Sequence, residues 1–565
     1  MKKIYLSLLI TLLSAGIHAQ VLDFVWAKST GGVSADVVHC ITTDGSGNVY
    51  TTGEFYVTVD FDPSSAGTFN MTSNGLNDIF IQKLDANGNF IWAKSIGGSS
   101  SEVGQCITTD ASGNVYITGS FAGTVDFNPG AGTFNLTSNF VSQDIYVLKL
   151  DANGNFIWAK SIGEMDTDFG QSIITDASGN VLITGSYQLI VDFNPGAGTF
   201  YLTSNGQYDV FVLKLDANGN FMWAKSMGGP FGDWAESIAV DALGNVLITG
   251  AYKNTVDFDP GAGIFNLTSN GDYDIFIQKM DAAGIFIWAK SMGGPSGDFG
   301  ASIVTDTSSN VLLTGTYRDT TDFDPDTSTL NLVSNGGQDI FIQKLDAGGS
   351  LIWAKSMGGT GMDHGVAVSA DTSGNILITG YYWGTADFDP GAATFNLTSN
   401  GSQDIFVLKL DAGGNFILAK SIGGTDTDIA WSITIDALQN VYVAGRFQGT
   451  VDFDPGAATF NLISNGIYPD FFVLKLSHIT VSVEENTWSD NVIIFPNPSS
   501  GLVNLDLGKL KKVTIKVFNV VGKLVYQAEN INTSIHRFEL NETPGLYIIK
   551  VSSQGERQQY KLVKM

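Results

Sequence analysis

The sequence predicts an all-β fold: a seven-bladed β-propeller closed by its own N-terminal strand, followed by a small C-terminal β-sandwich. Three observations predict it. The stretch FIWAKSIGG recurs in seven spellings, from FVWAKSTGG (Phe24 to Gly32) to FILAKSIGG (Phe416 to Gly424). It places Trp26, Trp92, Trp158, Trp223, Trp288 and Trp353, with Leu418 in the seventh place, at intervals of 65 or 66 residues. A period that regular is the mark of a repeat architecture. Each unit also reads as four short strands separated by Gly, Asn and Asp turns, without helical periodicity. Finally, the last unit lacks a strand that the N-terminus supplies.

The second unit shows the pattern. GQCITTD (Gly104 to Asp110) is a short apolar strand, ASGN a turn, and VYITGSF (Val115 to Phe121) a second strand. An outlying hairpin, TVDFNPGAGTFNLTSN, bends at Pro129-Gly130. DIYVLKL (Asp144 to Leu150) is the third main strand, DANGN a turn, and FIWAKSIGG the fourth. Four antiparallel strands per unit, repeated radially, leave few open sheet edges. After the seventh third strand (Phe471 to Leu476) the expected fourth is missing, whereas LDFVWAKS (Leu22 to Ser29) precedes the first complete unit. The N-terminal strand therefore serves as the outer strand of the last blade. This order puts the tight DASGN and DANGN turns on one face and the sequence-variable interblade loops on the other, where binding belongs.

Outside the repeats, residues 1–19 read as a secretory signal, with Lys2 and Lys3 before an apolar run and Ala19 before the cut. The propeller spans 20–476, a polar linker 477–491, and a domain of short alternating strands 492–565. No later stretch approaches the roughly 18 apolar residues of a spanning helix, so no transmembrane segment is expected. Cys40 and Cys106 share one column, filled elsewhere by serine or alanine. They read as small core residues, not as a disulfide framework. Val21 to Leu476 holds 48 acidic against 17 basic residues, which argues against nucleic acid and leaves cations, basic partners or solubility.

The columns that carry chemistry follow from the same register. Asp36, Glu102, Asp168, Asp233, Asp298, Asp363 and Asp428 stand where the innermost strands begin. Seven carboxylates converging on the axis would suit a hard cation such as calcium; alternatively, each caps its own loop through backbone N–H groups. The VDF[DN]P pairs, such as Asp60/Asp62 and Asp257/Asp259, offer two oxygens on one strand face or form Asx turns at the bend. Phe169, Trp234, Phe299, His364 and Trp431 break the repeat near the channel mouth and are candidates to stack on a sugar or peptide. The tryptophan column itself is blade packing. No catalytic residue is assigned: there is no HExxH, GxSxG or phosphate loop. A sialidase would need an arginine cluster, and the propeller holds only Arg318 and Arg446.

With these residues in view, the unit GNVYITGSF … DIYVLKLDANGNFIWAKS resembles the bacterial seven-bladed β-propeller (SBBP-like) repeat family over Val21 to Leu476, which implies a fold and an extracellular setting but no shared activity. Pro496-Asn497-Pro498 with Gly501, VFNVVGKLV (Val517 to Val525) with Gly522, and PGLYIIKV with Gly545, ending in KLVKM, resemble the type A C-terminal sorting domain of the Bacteroidota type IX secretion system. That resemblance implies engagement of the secretion machinery and a product released or held at the outer-membrane surface. Together these features predict a monomeric, non-catalytic binding platform for a glycan or surface protein. The alternatives are a polysaccharide-acting enzyme using acidic residues or calcium on the variable face, and a structural or adhesive surface component.

Overall fold

A computed structural model describes residues 20–480 and 492–564, apart from 65, 140, 141, 457, 498, 520–522, 543, 544, 554 and 555. The expected signal, 1–19, and most of the expected linker lie outside the described residues. The chain divides into two compact units, one of Val21–Ile479 and one containing Thr480–Met565. Among the described residues there is no helix.

The larger unit is a β-propeller-like array of four-stranded antiparallel sheets. The first is built from Val37–Thr43, Val49–Asp60, Asn70–Leu84 and Phe90–Ile96, in that order from inside outwards. The fifth and sixth groups merge into one eight-stranded sheet through a short bridge, Gly358 to Asp387 and Gly359 to Ala386. Gln20–Thr30 is the outer strand of the sheet formed by Asp470–Thr480, Val441–Phe447 and Ile429–Ile435. Asp470–Thr480 runs four residues past Leu476, where the sequence reading placed the linker.

Both faces of each sheet are covered by neighbours, so the central strands read as continuous apolar runs. Seven hydrophobic clusters hold the array, each drawn from two successive sheets. One of them packs Trp26, Tyr442 and Phe471 from the last sheet against Phe55, Phe61 and Phe80 from the first. The tryptophan column marks these seams. Trp158 Nε1 donates to Ala217 O in the DANGN turn of the next sheet at 3.3 Å, and the indole lies so close to Gly219 that a Cβ there would meet it at 3.1 Å. Trp26, Trp92, Trp223 and Trp288 repeat the bond.

The smaller unit packs a three-stranded sheet (Ile493–Phe495, Leu502–Asp506, Ile535–Glu539) with a four-stranded one (Leu524–Ile531, Val513–Asn519, Gly545–Ser553, Glu556–Lys564). Alternate residues Ile515, Val517, Ile549 and Val551 point into their shared core with Val503 and Leu505.

The outlying hairpin expected in each unit is not a separate element in most of the sheets. Val49–Asp60 and Asn70–Leu84 form one long hairpin interrupted by a bulge between Tyr56 and Thr58. The bulge residue is left-handed in every unit: Val57 (φ 53°), Gly123, Leu189 (φ 55°), Asn254, Asp319, Gly384 (φ 77°) and Gly449. Its N–H is caught by a serine hydroxyl on the third strand, as in Val57 to Ser73, Leu189 to Ser204 and Gly384 to Ser399. Left-handed backbone costs an L-residue about 1–2 kcal/mol that glycine escapes. Gly384 has open space where a Cβ would stand. Gly384→Val should therefore lower unfolding stability by about 1–2 kcal/mol through backbone strain alone, whereas Val57→Gly should not lower it; urea midpoints of the two variants check both signs.

Candidate functional site: a cavity lined by the first strands of the sheets

The innermost strands carry a second bulge, and it builds the site. In each strand one residue drops out of the ladder, for example between Val38 and Cys40 or between Ala430 and Ser432. The seven residues released are His39, Gln105, Gln171, Glu236, Ala301, Val366 and Trp431. A bulge re-aims its extra side chain, and all seven line one cavity of about 660 Å³. Sequence reading singled out only Trp431 from this column. The available signal was a position that differs almost from unit to unit within an otherwise repeated strand.

The cavity wall is polar on one side and aromatic on the other. Gln171 Nε2 donates to Glu236 Oε2 at 2.9 Å, and burial raises the Glu236 carboxyl above its ordinary range. Burial, with the Arg446 charge adding to it, lowers His39 to about 4, and burial lowers His364 likewise. Both imidazoles are therefore neutral at physiological pH. The His364 ring stacks on Tyr381 at 4.6 Å, and Tyr381 meets Trp431 edge-on at 6.3 Å.

The expected aromatic set is thus split. Phe299, His364 and Trp431 line the cavity. Phe169 packs against Tyr208 at 6.0 Å and Trp234 against Tyr273 at 5.0 Å, and neither is part of the cavity wall. Tyr381 joins the set from the second strand, where it pairs with His364.

The acidic column does not gather at the axis. Each carboxylate is buried and folded back into its own loop. Asp233 Oδ2 accepts the Gly229 N–H at 2.7 Å and Oδ1 the Lys253 N–H at 3.0 Å. Asp36, Asp298, Asp363 and Asp428 make the same two bonds. Glu102 takes the Gly98 N–H and Asp168 the Gln188 N–H. Of the two readings of this column, the hydrogen bonds are those of loop capping: five of the carboxylates use both oxygens on backbone donors, while Glu102 and Asp168 use one each and leave Oε1 and Oδ2 unpartnered. Among the described residues, no group of three or more His, Cys, Asp or Glu side chains is placed to hold a metal ion. The VDF[DN]P aspartates likewise form turns, Asp257 Oδ1 accepting the N–H groups of Asp259 and Phe265.

A second acidic column went unnoticed in the sequence: Asp78, Asp144, Asp209, Asp274, Asp339, Asp404 and Asp470, all buried on the third strand, just before its apolar run. Each accepts the N–H of an asparagine four or five residues back, as Asp209 does from Asn205. Each also lies against the first glycine of the GG connection, where a Cβ at Gly228 would run into the Asp209 carboxyl. The seven aspartates opening the DIF-like strands were the signal. The two columns meet at the joints, so like charges add to burial: Asp168 is pushed up to about 8 and Asp144 to about 7, and Glu102 and Asp233 also reach about 7.

In the smaller unit, Asn497 ties down the final strand, its Nδ2 donating to Lys561 O at 2.7 Å and its Oδ1 accepting the Val563 N–H at 2.9 Å. Gly501 is left-handed (φ 123°), and its carbonyl accepts the Leu540 N–H. Pro496 follows Phe495 at the end of the first strand, and Gly545 opens Gly545–Ser553. Pro498 and Gly522 lie outside the described residues.

Fold and tail together define a class, an exported all-β protein with a propeller-like body. Residues 493–565 match the secretion system C-terminal sorting domain. The chain is a secreted or outer-membrane surface protein addressed to the type IX secretion machinery. Three curated relatives are similar at lower identity. An uncharacterised WD repeat-containing protein of Acanthamoeba polyphaga mimivirus is 24% identical over 76% of this chain and 36% of its own length. The regulatory protein FlaEY of Caulobacter vibrioides is 25% identical over 65% and 45%. An ulvan lyase of Nonlabens ulvanivorans is 27% identical over 39% and 38%. The chain thus spans less than half the length of each. Among solved structures, it is similar to PorZ of Porphyromonas gingivalis, an essential surface component of the type-IX secretion system, at 12% identity and a TM-score of 0.26, with 95% of this chain and 100% of that one covered.

The paired carboxylates give the body a signed pH dependence. Their folded values lie above the ordinary 3.8 of Asp and 4.5 of Glu. The folded state therefore keeps protons that the unfolded chain releases, and stability falls as pH rises from about 4 through 8. Melting temperature should climb between pH 8 and pH 5. Asp168→Asn should flatten that slope at little cost at pH 8, because Oδ2 of Asp168 has no hydrogen-bond partner to lose. A melting temperature that rises with pH over this window would refute the assignment.

Proposed function

We propose that the repeats close as a seven-bladed SBBP-like propeller, residues 20–476, and that this ring is a non-catalytic binding platform whose ligand, a glycan or a surface protein, is taken at the channel cavity. Export and surface display follow from the sorting tail; the binding role is the step beyond it. The observation that carries it is the bulge column. A scaffold repeated nearly residue for residue releases one side chain per unit from pairing, and these differ, with the His364–Tyr381–Trp431 aromatic arc beside them. Cyclic contact supports the ring: the innermost strand Ile429–Ile435 packs against Val37–Thr43, as each innermost strand packs against the next.

Stacked aromatics hold sugar faces and peptide side chains, and the neutral amides and imidazoles supply hydrogen bonds without demanding a charged ligand. This reading does not call on calcium. A second reading, action on a polysaccharide, draws on the similarity to the ulvan lyase over 39% of the chain.

A glycan array probed with the full-length protein separates the two. Binding should appear without release of unsaturated or reducing ends. Tyr381→Ala and Trp431→Ala should each weaken it by roughly 2- to 10-fold, the worth of about 0.5–1.5 kcal/mol of aromatic contact, with melting temperature nearly unchanged. Appearance of unsaturated products on ulvan would favour the lyase; retention of full affinity in both variants would place the ligand elsewhere.

A further inference from the structure

Cys40 and Cys106 were expected as separate small core residues. They are instead half-buried, line the channel cavity, and touch: their Sγ atoms stand 3.3 Å apart across the joint between the first and second sheets. At the four serines of this column the joint is closed by a hydroxyl accepting an N–H from the neighbouring strand, as Ser432 does from Ile41 and Ser237 from Ile303. At Cys40 that bond is replaced by the sulfur contact and a weak S–H donation to Ile107 O at 3.6 Å. Among the seven positions only these two hold sulfur, and they occupy neighbouring innermost strands.

We propose that Cys40 and Cys106 are joined by a disulfide in the exported protein, a covalent staple between the innermost strands of the first two sheets. The chain works outside the cytoplasm, where disulfides persist. The chemistry is thiol–disulfide exchange with a small-molecule or protein disulfide as oxidant. The Cys106 thiolate attacks one sulfur of the oxidant and expels the other as a thiolate. The Cys40 thiolate then attacks the Cys106 sulfur of the mixed disulfide and expels the second. Two thiols lose two protons and two electrons, and the oxidant's disulfide is reduced to two thiols. The sulfur contact, in which either thiol can donate, splits the pair: it lowers Cys106 below the ordinary thiol range and, with burial, holds Cys40 above it. The cavity gives a small oxidant access to both sulfurs.

The test uses full-length protein recovered from outside the cell, quenched in acid, denatured, and treated with iodoacetamide before or after reduction. Mass spectrometry should show no adduct before reduction and two after, in a chain that runs as a monomer on a non-reducing gel. Two adducts without reduction, or a disulfide-linked dimer, would overturn the proposal. A second arm takes reduced protein through oxidised glutathione. Loss of two hydrogens with no glutathione retained is expected, and glutathione left as a stable adduct on either cysteine would show that the sulfurs do not reach each other. In Cys106→Ser, Cys40 should be alkylated under every condition.

Discussion

Every joint between successive sheets depends on a buried carboxylate accepting backbone N–H groups from a loop that has no strand to pair with. The chain leaves the outer edge of one sheet and must enter the innermost strand of the next, so its connection runs through covered space. An unmade hydrogen bond there costs about 1–3 kcal/mol. Asp233 answers the Gly229 N–H of that connection and the Lys253 N–H beside the second-strand bulge, while its own N–H is taken by Tyr208 O of the preceding sheet. One side chain thereby fixes the loop, the bulge and the neighbour. The glycine at the start of the connection is equally constrained, because Asp209 occupies the space a side chain would need.

This changes the meaning of the composition. Fourteen carboxylates of the two joint columns are buried, and others, such as Asp176 and Asp241, close the tight turns. The lysine of each third strand is likewise internal: Lys214 bridges Asp176 at 2.9 Å and the Ala282 carbonyl of the next sheet at 3.2 Å. Much of the acidic excess is therefore scaffold, and it describes how the sheets join better than what they meet.

The repeat, the strand order and the completion of the last sheet by Gln20–Thr30 were legible because tryptophan spacing and a missing strand are countable. The cavity was not, because a bulge breaks the two-residue alternation from which strand faces are read. His39 and Glu236 sit one step out of the register that alternation assigns. The acidic column was found in place, but whether it faced the axis or capped its own loops stayed open: Asp233 precedes the strand, where no periodicity fixes the direction of a side chain. Cys40 and Cys106 were visible as a column, yet their contact depends on how closely neighbouring innermost strands approach, and the sequence carries no measure of that distance.

The pairing of Gln20–Thr30 with Asp470–Thr480 has a kinetic side. The first strand to be made has no partner until the last repeat exists, and loop-closure entropy makes such a distant pairing the slow step of assembly. Until it forms, the final sheet lacks its outer strand and the edge of Asp470–Thr480 stays open. A chain built this way completes its last sheet only after every repeat is present.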